Sequence, residues 1–199
     1  MNNLGASVNG FASLRVRSFT ACVSAIVVLL ALSGSSTGQA PYTFDVVPPE
    51  LVGGPSLNTP KEEPIRLSSR KGKVLIVHFW TFGCINCKRN LPCYARWQKR
   101  FEKQDVEIIG IHTPETAEEK VSENVVKRVK ELGITYPVLL DQKGENWIRW
   151  KQRYWPTVYL IDKRGHARFE WEGELDWKGA GGEEKMARKV EALLKESDK

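Results

Sequence analysis

Two of the chain's four cysteines, Cys84 and Cys87, stand as Cys-Ile-Asn-Cys between the run KVLIVHFW and a stretch of helical character. A spacing of three at the start of a helix brings both sulfurs to one side, close enough to bridge. A thiol attacks only as thiolate. The first turn of a helix supplies unpaired N–H groups and the positive end of the dipole, and both stabilise an anion. Cys84, at the helix entry, is therefore the expected nucleophile. Cys87, one turn in and deeper, is the expected resolving thiol. Cys84 would attack a substrate disulfide to give a mixed disulfide, and Cys87 would release it; run backwards, the oxidised pair donates a disulfide. Two other readings of the pair are weaker. Zinc takes four ligands, and only Cys93, His78, His112 and His166 remain outside the leader, with no second CxxC. A structural bridge closing so short a loop adds little stability. Cys93 falls six residues after Cys87, on another face of the same helix, and reads as a small buried residue rather than a third redox thiol.

The elements that must hold this pair follow from hydrophobic patterning. KVLIVHFW is a continuous apolar run, the mark of a central strand buried on both faces. The helix after it is expected from about Ile85 to Lys103. DVEIIGIH is a second strand. ETAEEKVSENVVKRVKEL places Ala117, Val121, Val125, Val129 and Leu132 on one helical face, closed by Gly133. PVLLD is a short strand, ENWIRWKQRY a short helix, and TVYLID and HARFEWEG are strands joined at Lys163-Arg164-Gly165. A last helix carries Met186, Val190, Leu193 and Leu194 on one face. The order β-α-β-α-β-α-β-β-α calls for an α/β fold: a central, mostly parallel sheet with helices on both faces, closed by a hairpin and a helix.

Ahead of this domain lie two further segments. Residues 1–18 carry Arg15 and Arg17 as their only charges, 19–32 are apolar, and small residues follow to Ala40. That is the order of a secretory signal, either cleaved or retained as an N-terminal membrane anchor. Cys22 lies at the start of the apolar stretch, not just after it, so it is not a lipoprotein cysteine. Both readings place the domain outside the cytoplasm, where disulfides form. Residues 41–64, rich in proline and glycine, read as a linker or irregular lead-in, leaving 65–199 as the domain. The 199 residues give room for one domain plus a leader, and three cysteines outside the leader are too few for a disulfide scaffold. The net charge of +6 is spread along the chain, with no basic run interleaved with aromatics, so no nucleic-acid partner is expected.

HFWTFGCINCKRNLP, with Lys88 after the second cysteine and Pro92 further on, resembles the active-site strand, loop and helix of the thioredoxin superfamily. Trp155-Pro156-Thr157 stands where that family keeps its cis-proline. The extra helix and strand between His112 and Asp141 resemble the insertion of the exported TlpA/ResA-like branch. Within that branch FWTFGCINC, IGIHTPE, LGITYPVLLD, YWPT and YLIDKRGHAR are similar to the thioredoxin-like domain of DipZ-type proteins. The resemblance implies a thioredoxin-like fold over roughly 65–175 and a redox-active Cys84–Cys87 disulfide with no further cofactor and no metal. It implies reduction or exchange of protein disulfides, an extracytoplasmic location, a membrane electron donor of the CcdA/DsbD type, and a link to cytochrome c maturation. Pro156 would be cis and would leave the backbone of Trp155 to pair with an extended substrate. Trp80, Phe82 and Trp155 would supply apolar substrate surface.

The pattern also departs from the family. Where many thioredoxins keep a buried aspartate before the CxxC, this chain has His78. A neutral imidazole could relay the proton of the resolving thiol, or the residue could be a hydrogen-bonded core histidine. His112, in HTPE, ends the second strand on the ligand side of the sheet. Two other functional classes compete. Peroxiredoxins share the fold but place their cysteine in Pro-x-x-x-Thr/Ser-x-x-Cys; Thr81 is present here and the proline is not. A non-catalytic binding module would have no use for both cysteines and Pro156.

Overall fold

The computed structural model describes residues 39–60 and 63–197. The leader, with Arg15, Arg17 and Cys22, lies outside them save for Gln39 and Ala40. Among the described residues no helix is long and apolar enough to cross a membrane. Strand β3 (Val74–Trp80) is buried at every position. Val74, Ile76 and Trp80 contribute to one apolar cluster and Leu75, Val77 and Phe79 to another, because successive side chains of a strand point to opposite faces. A continuous apolar run therefore makes the middle of a sheet.

Helix α1 (Ile85–Arg100) follows, then β4 (Val106–His112), α2 (Ser122–Glu131), β5 (Val138–Leu140), α3 (Glu145–Arg149), β6 (Thr157–Ile161), β7 (Ala167–Glu172) and α4 (Gly182–Lys195). This is the expected order. β3, β4 and β5 pair in parallel. Their two crossovers step across the sheet in the same direction, and right-handed connections then put α1 and α2 on one face. Cys93, Tyr94 and Trp97 of α1, Val125 and Val129 of α2, and Met186, Val190 and Leu193 of α4 all join the same cluster.

The fold is α/β, but its sheet is mixed, and parallel pairing stops at β3–β4–β5. β6 runs antiparallel to β3, with Thr157 opposite Phe79 and Ile161 opposite Leu75. β6 starts at the edge where β3 ends and runs back, which sets Pro156 beside the loop that carries the cysteines.

The second correction concerns residues 41–64. They are not a linker. β1 (Tyr42–Val46) pairs with β7 and β2 (Ser56–Leu57) with β5, closing both edges of a seven-stranded sheet ordered β1-β7-β6-β3-β4-β5-β2. Leu51, together with Ile65 and Leu67 just beyond, packs on the face that α1 and α2 leave bare, against Leu75, Val77, Phe79, Ile109 and Ile111. Glu50 fastens this cover, with Oε1 accepting from the N–H of Leu51 and Leu67 at 2.9 and 2.6 Å and Oε2 from Ser68 at 2.9 Å. Proline and glycine are compatible with short edge strands, and an apolar sheet face must be covered by something.

The third correction is at the start of α2. The helix begins at Ser122, preceded by a 3-10 turn at Glu118–Lys120, and Val121 is extended and exposed. Ala117, expected on the buried face, is exposed, while Glu119 is 1% accessible.

Candidate active site

β3 delivers the chain to the loop Thr81–Gly83, and Cys84 caps α1. Its φ/ψ of −69°/116° are extended, and its Sγ accepts a hydrogen bond from the N–H of Cys87 at 3.1 Å. The Cys84 thiol is pulled down to about 7, chiefly because the Cys87 thiol donates to it. Burial opposes this, the N–H groups of Cys87 and Asn86 assist, and the carboxylate of Glu115 opposes weakly. Burial pushes the Cys87 thiol far up, and its bond to Cys84 adds to that. One half-buried, acidic thiol and one buried, reluctant thiol are thus set face to face. The helix entry supplies the N–H groups, since the first turn has no partners for them.

Pro156 is buried and its bond to Trp155 is cis. Its carbonyl accepts from Gly173 N–H at 2.7 Å. Asn90, one turn after Cys87, joins α1 to the segment after β7: Oδ1 accepts from Leu175 N–H at 2.9 Å and Nδ2 donates to the Gly173 carbonyl at 3.2 Å. Trp155 is half-buried and stacks on Trp147 of α3, with centroids 3.8 Å apart and planes at 23°.

Trp80 and Phe82 do not supply substrate surface. Trp80 is fully buried and meets the His112 ring edge-on at 5.2 Å; Phe82 is 7% accessible and stacks on His112 at 5.5 Å. Trp80 falls on the strand face that α1 covers, and His112 at the end of β4 gives Phe82 a ring to pack on. The exposed apolar side chains in this region are instead Ile85, within the CxxC, and Tyr154, beside Trp155.

His78 is fully buried and stacks on Tyr94 of α1 at 4.1 Å, with Tyr136 edge-on at 5.4 Å. Gly110 on the paired strand makes the room: a Cβ there would approach His78 Nε2 to 3.1 Å and Trp80 Nε1 to 3.0 Å. Burial lowers the imidazole to about 3, and neither ring nitrogen is hydrogen-bonded. So weak a base is a poor acceptor for a thiol proton, and the geometry gives His78 a packing role. It is not the hydrogen-bonded core histidine of the alternative reading either.

Cys93 is buried on α1 with its Sγ 3.4 Å from the Arg96 guanidinium. Burial, and then Glu183, push its thiol up to about 12. Among the described residues, Cys93, Asp176 and Glu183 bring potential ligand atoms within 4.8 Å of one another. The Arg96 guanidinium, bonded to Glu183, already supplies the positive charge there.

Sequence reasoning missed one group altogether. Glu119 reaches the CxxC loop from the far side, Oε1 accepting from Gly83 N–H at 2.7 Å and Oε2 from the N–H groups of Glu115 and Thr116, each at 2.8 Å. Thr81 Oγ1 stands 3.3 Å from His112 Nε2. No helical or strand periodicity marks a charged residue that turns inward.

Residues 54–169 match the AhpC/TSA family. Over 147 residues the chain is 42% identical to Protein DipZ of Mycobacterium tuberculosis, a match covering 73% of this chain and 21% of that protein. It is 31% identical over 103 residues to the thiol–disulfide oxidoreductase ResA of Geobacillus kaustophilus, covering 52% of this chain and 56% of ResA. The chain thus spans about a fifth of DipZ's length. Among solved structures, a putative thiol:disulfide interchange protein DsbE from Chlorobium tepidum superposes with a TM-score of 0.64 at 18% identity, over 77% of this chain and 98% of that one. The thioredoxin-like superfamily protein SPOA0173 gives 0.68 at 24% identity, over 76% and 98%. These two likenesses are of fold, and the fold is thioredoxin-like.

Proposed function

This chain belongs to the AhpC/TSA family of thioredoxin-like proteins, and from that footing we propose that it is an extracytoplasmic thiol–disulfide oxidoreductase acting on protein disulfides through Cys84 and Cys87. The observation that carries the reading is the asymmetry of the pair: Cys84 at the helix entry lowered to about 7, Cys87 buried and raised. The Cys84 thiolate attacks one sulfur of a substrate disulfide. The substrate S–S bond breaks, a mixed disulfide forms and the first substrate thiolate departs. Cys87 then gives up its proton and attacks Cys84 Sγ. The Cys84–Cys87 bond forms, the second substrate thiolate leaves and takes a proton, and two electrons have passed to the substrate. Burial keeps Cys87 protonated until the mixed disulfide removes the thiolate beside it, which delays the second step until it is needed. Trp155, Ile85 and Tyr154 offer an apolar surface to the residues flanking a substrate cysteine, and the peptide at Pro156 aligns an extended segment.

The leader's composition supports export, and the similarity to DipZ and ResA supports a reductase recharged by a CcdA/DsbD-type membrane donor, with cytochrome c maturation as one destination for the electrons. A peroxide reductase is less well supported. Thr81 lies three residues before Cys84, as in peroxiredoxins, but its hydroxyl is directed to His112 rather than to Cys84. The test is the Cys84–Cys87 reduction potential, measured against glutathione buffers. A value at or below roughly −250 mV is expected of a reductase. A value near roughly −120 mV would mean a disulfide donor and would end the cytochrome reading.

A further inference from the structure

We propose that Glu119 is a positioning residue of the dithiol: its buried carboxylate holds the Thr81–Gly83 loop in the geometry that lets Cys87 resolve the mixed disulfide. This rests on the oxidoreductase reading and adds a residue outside the CxxC and the proline loop. A carboxylate that is 1% accessible has no place in a core unless its charge is answered. Here the answer comes from backbone N–H groups on two loops at once. Gly83 donates from the cysteine loop at 2.7 Å, and Glu115 and Thr116 donate from the loop after β4 at 2.8 Å. On the same loop, Thr81 Oγ1 lies 3.3 Å from His112 Nε2 at the end of β4, and burial lowers the His112 imidazole to about 4.

Gly83 is explained by the same contact. Its φ is ordinary, yet a Cβ there would stand 2.4 Å from Glu119 Oε1. The glycine is needed for close approach, not for backbone freedom.

The two cysteines depend on this latch unequally. Cys84 is served by N–H groups of its own helix turn, from Cys87 and Asn86. Cys87 must reach Cys84 Sγ to resolve the mixed disulfide, and the backbone of Cys84 follows directly on Gly83, the residue that Glu119 holds. Release of the latch should therefore leave the first chemical step nearly intact and slow the second.

The full chain with Ellman's disulfide as probe separates the two steps. Attack by Cys84 releases one thionitrobenzoate and leaves the other bound to Cys84. Attack by Cys87 on Cys84 Sγ releases the second and closes the Cys84–Cys87 bond, two electrons having passed to the probe. For Glu119→Gln we expect the second release to slow by about tenfold or more, since small misplacements of reacting groups carry penalties of that order. The first release should stay within about twofold of the wild type, as its N–H donors lie in α1 itself. A folded Glu119→Gln protein with both phases unchanged overturns the proposal, whatever its melting temperature. Should Glu119→Gln fail to fold, Gly83→Ala takes its place, displacing the carboxylate while keeping its charge. A slowed second phase supports the proposal and a wild-type second phase overturns it. A wild-type chain that releases no thionitrobenzoate would overturn the oxidoreductase reading, and this inference with it.

Discussion

Cys84 and Cys93 sit nine residues apart on one helix, and the two ends of that span treat a thiol in opposite ways. At the helix entry, donors from the first turn draw Cys84 down to about 7. In the helix body, burial carries Cys93 up to about 12, although an arginine lies 3.4 Å from its sulfur. Arg96 cannot offset the burial, because Glu183 is paired with the same guanidinium and its own charge works against a thiolate. Proximity of a cation is therefore a poor guide to thiol reactivity here. A partner thiol that donates, together with unpaired N–H groups at a helix start, is a good one.

The largest test of this contrast is activity. Cys84→Ser should abolish disulfide reduction, read as insulin turbidity with a thiol reductant, and Cys93→Ser should leave it unchanged. Loss of turnover in Cys93→Ser would give the helix body a redox role. Next comes alkylation of the wild-type protein, followed residue by residue with mass spectrometry near neutral pH. Cys84 should react on the order of a hundredfold faster than Cys93, the difference in thiolate fraction outweighing the greater nucleophilicity of the more basic thiol. The Cys84 rate should climb and level off above pH about 7, while that of Cys93, far smaller, keeps rising with pH through the same range.

Smaller effects follow from the acids that serve the two regions. Burial opposes the charge on Glu119, but the Thr81 hydroxyl and the N–H groups of Thr116, Glu115 and Gly83 outweigh it and hold its carboxyl below the ordinary value. Its folded pKa is depressed, so its contribution to stability is fully present above about pH 4.3, the unfolded value, and is lost as pH falls through the folded value. Glu119→Gln should cost about 1–3 kcal/mol near neutrality, the expense of leaving buried N–H groups unpaired. It should also flatten the acid limb of a denaturation series run from pH 6 to pH 3, and an unchanged limb would place the acid sensitivity elsewhere. Arg96→Ala, at an exposed ion pair, should cost under about 1 kcal/mol by the same measurement. A loss above that would show the Cys93 region to be held as firmly as the Cys84 region.

The sequence by itself determined what is local. Cys84 and Cys87 are one helical turn apart, and the apolar run before them must be a strand, so the dithiol, its helix entry and the order of the nine elements from β3 to α4 were legible from spacing and period. Only the tertiary structure decided what depends on which surface remains uncovered. Two same-handed crossovers placed α1 and α2 on one face, so the bare face drew in Leu51, Ile65 and Leu67, and a stretch that reads as a linker became two edge strands. β6 was turned against the direction of β3, and its start was thereby set beside the cysteine loop. Trp80 and Phe82 look like recognition residues in a motif but lie under a helix and against His112. Glu119 reverses the amphipathic pattern outright. Its partner Gly83 is 36 residues away in the chain, and no periodicity encodes a charge whose burial becomes tolerable only when two distant loops turn their N–H groups toward it.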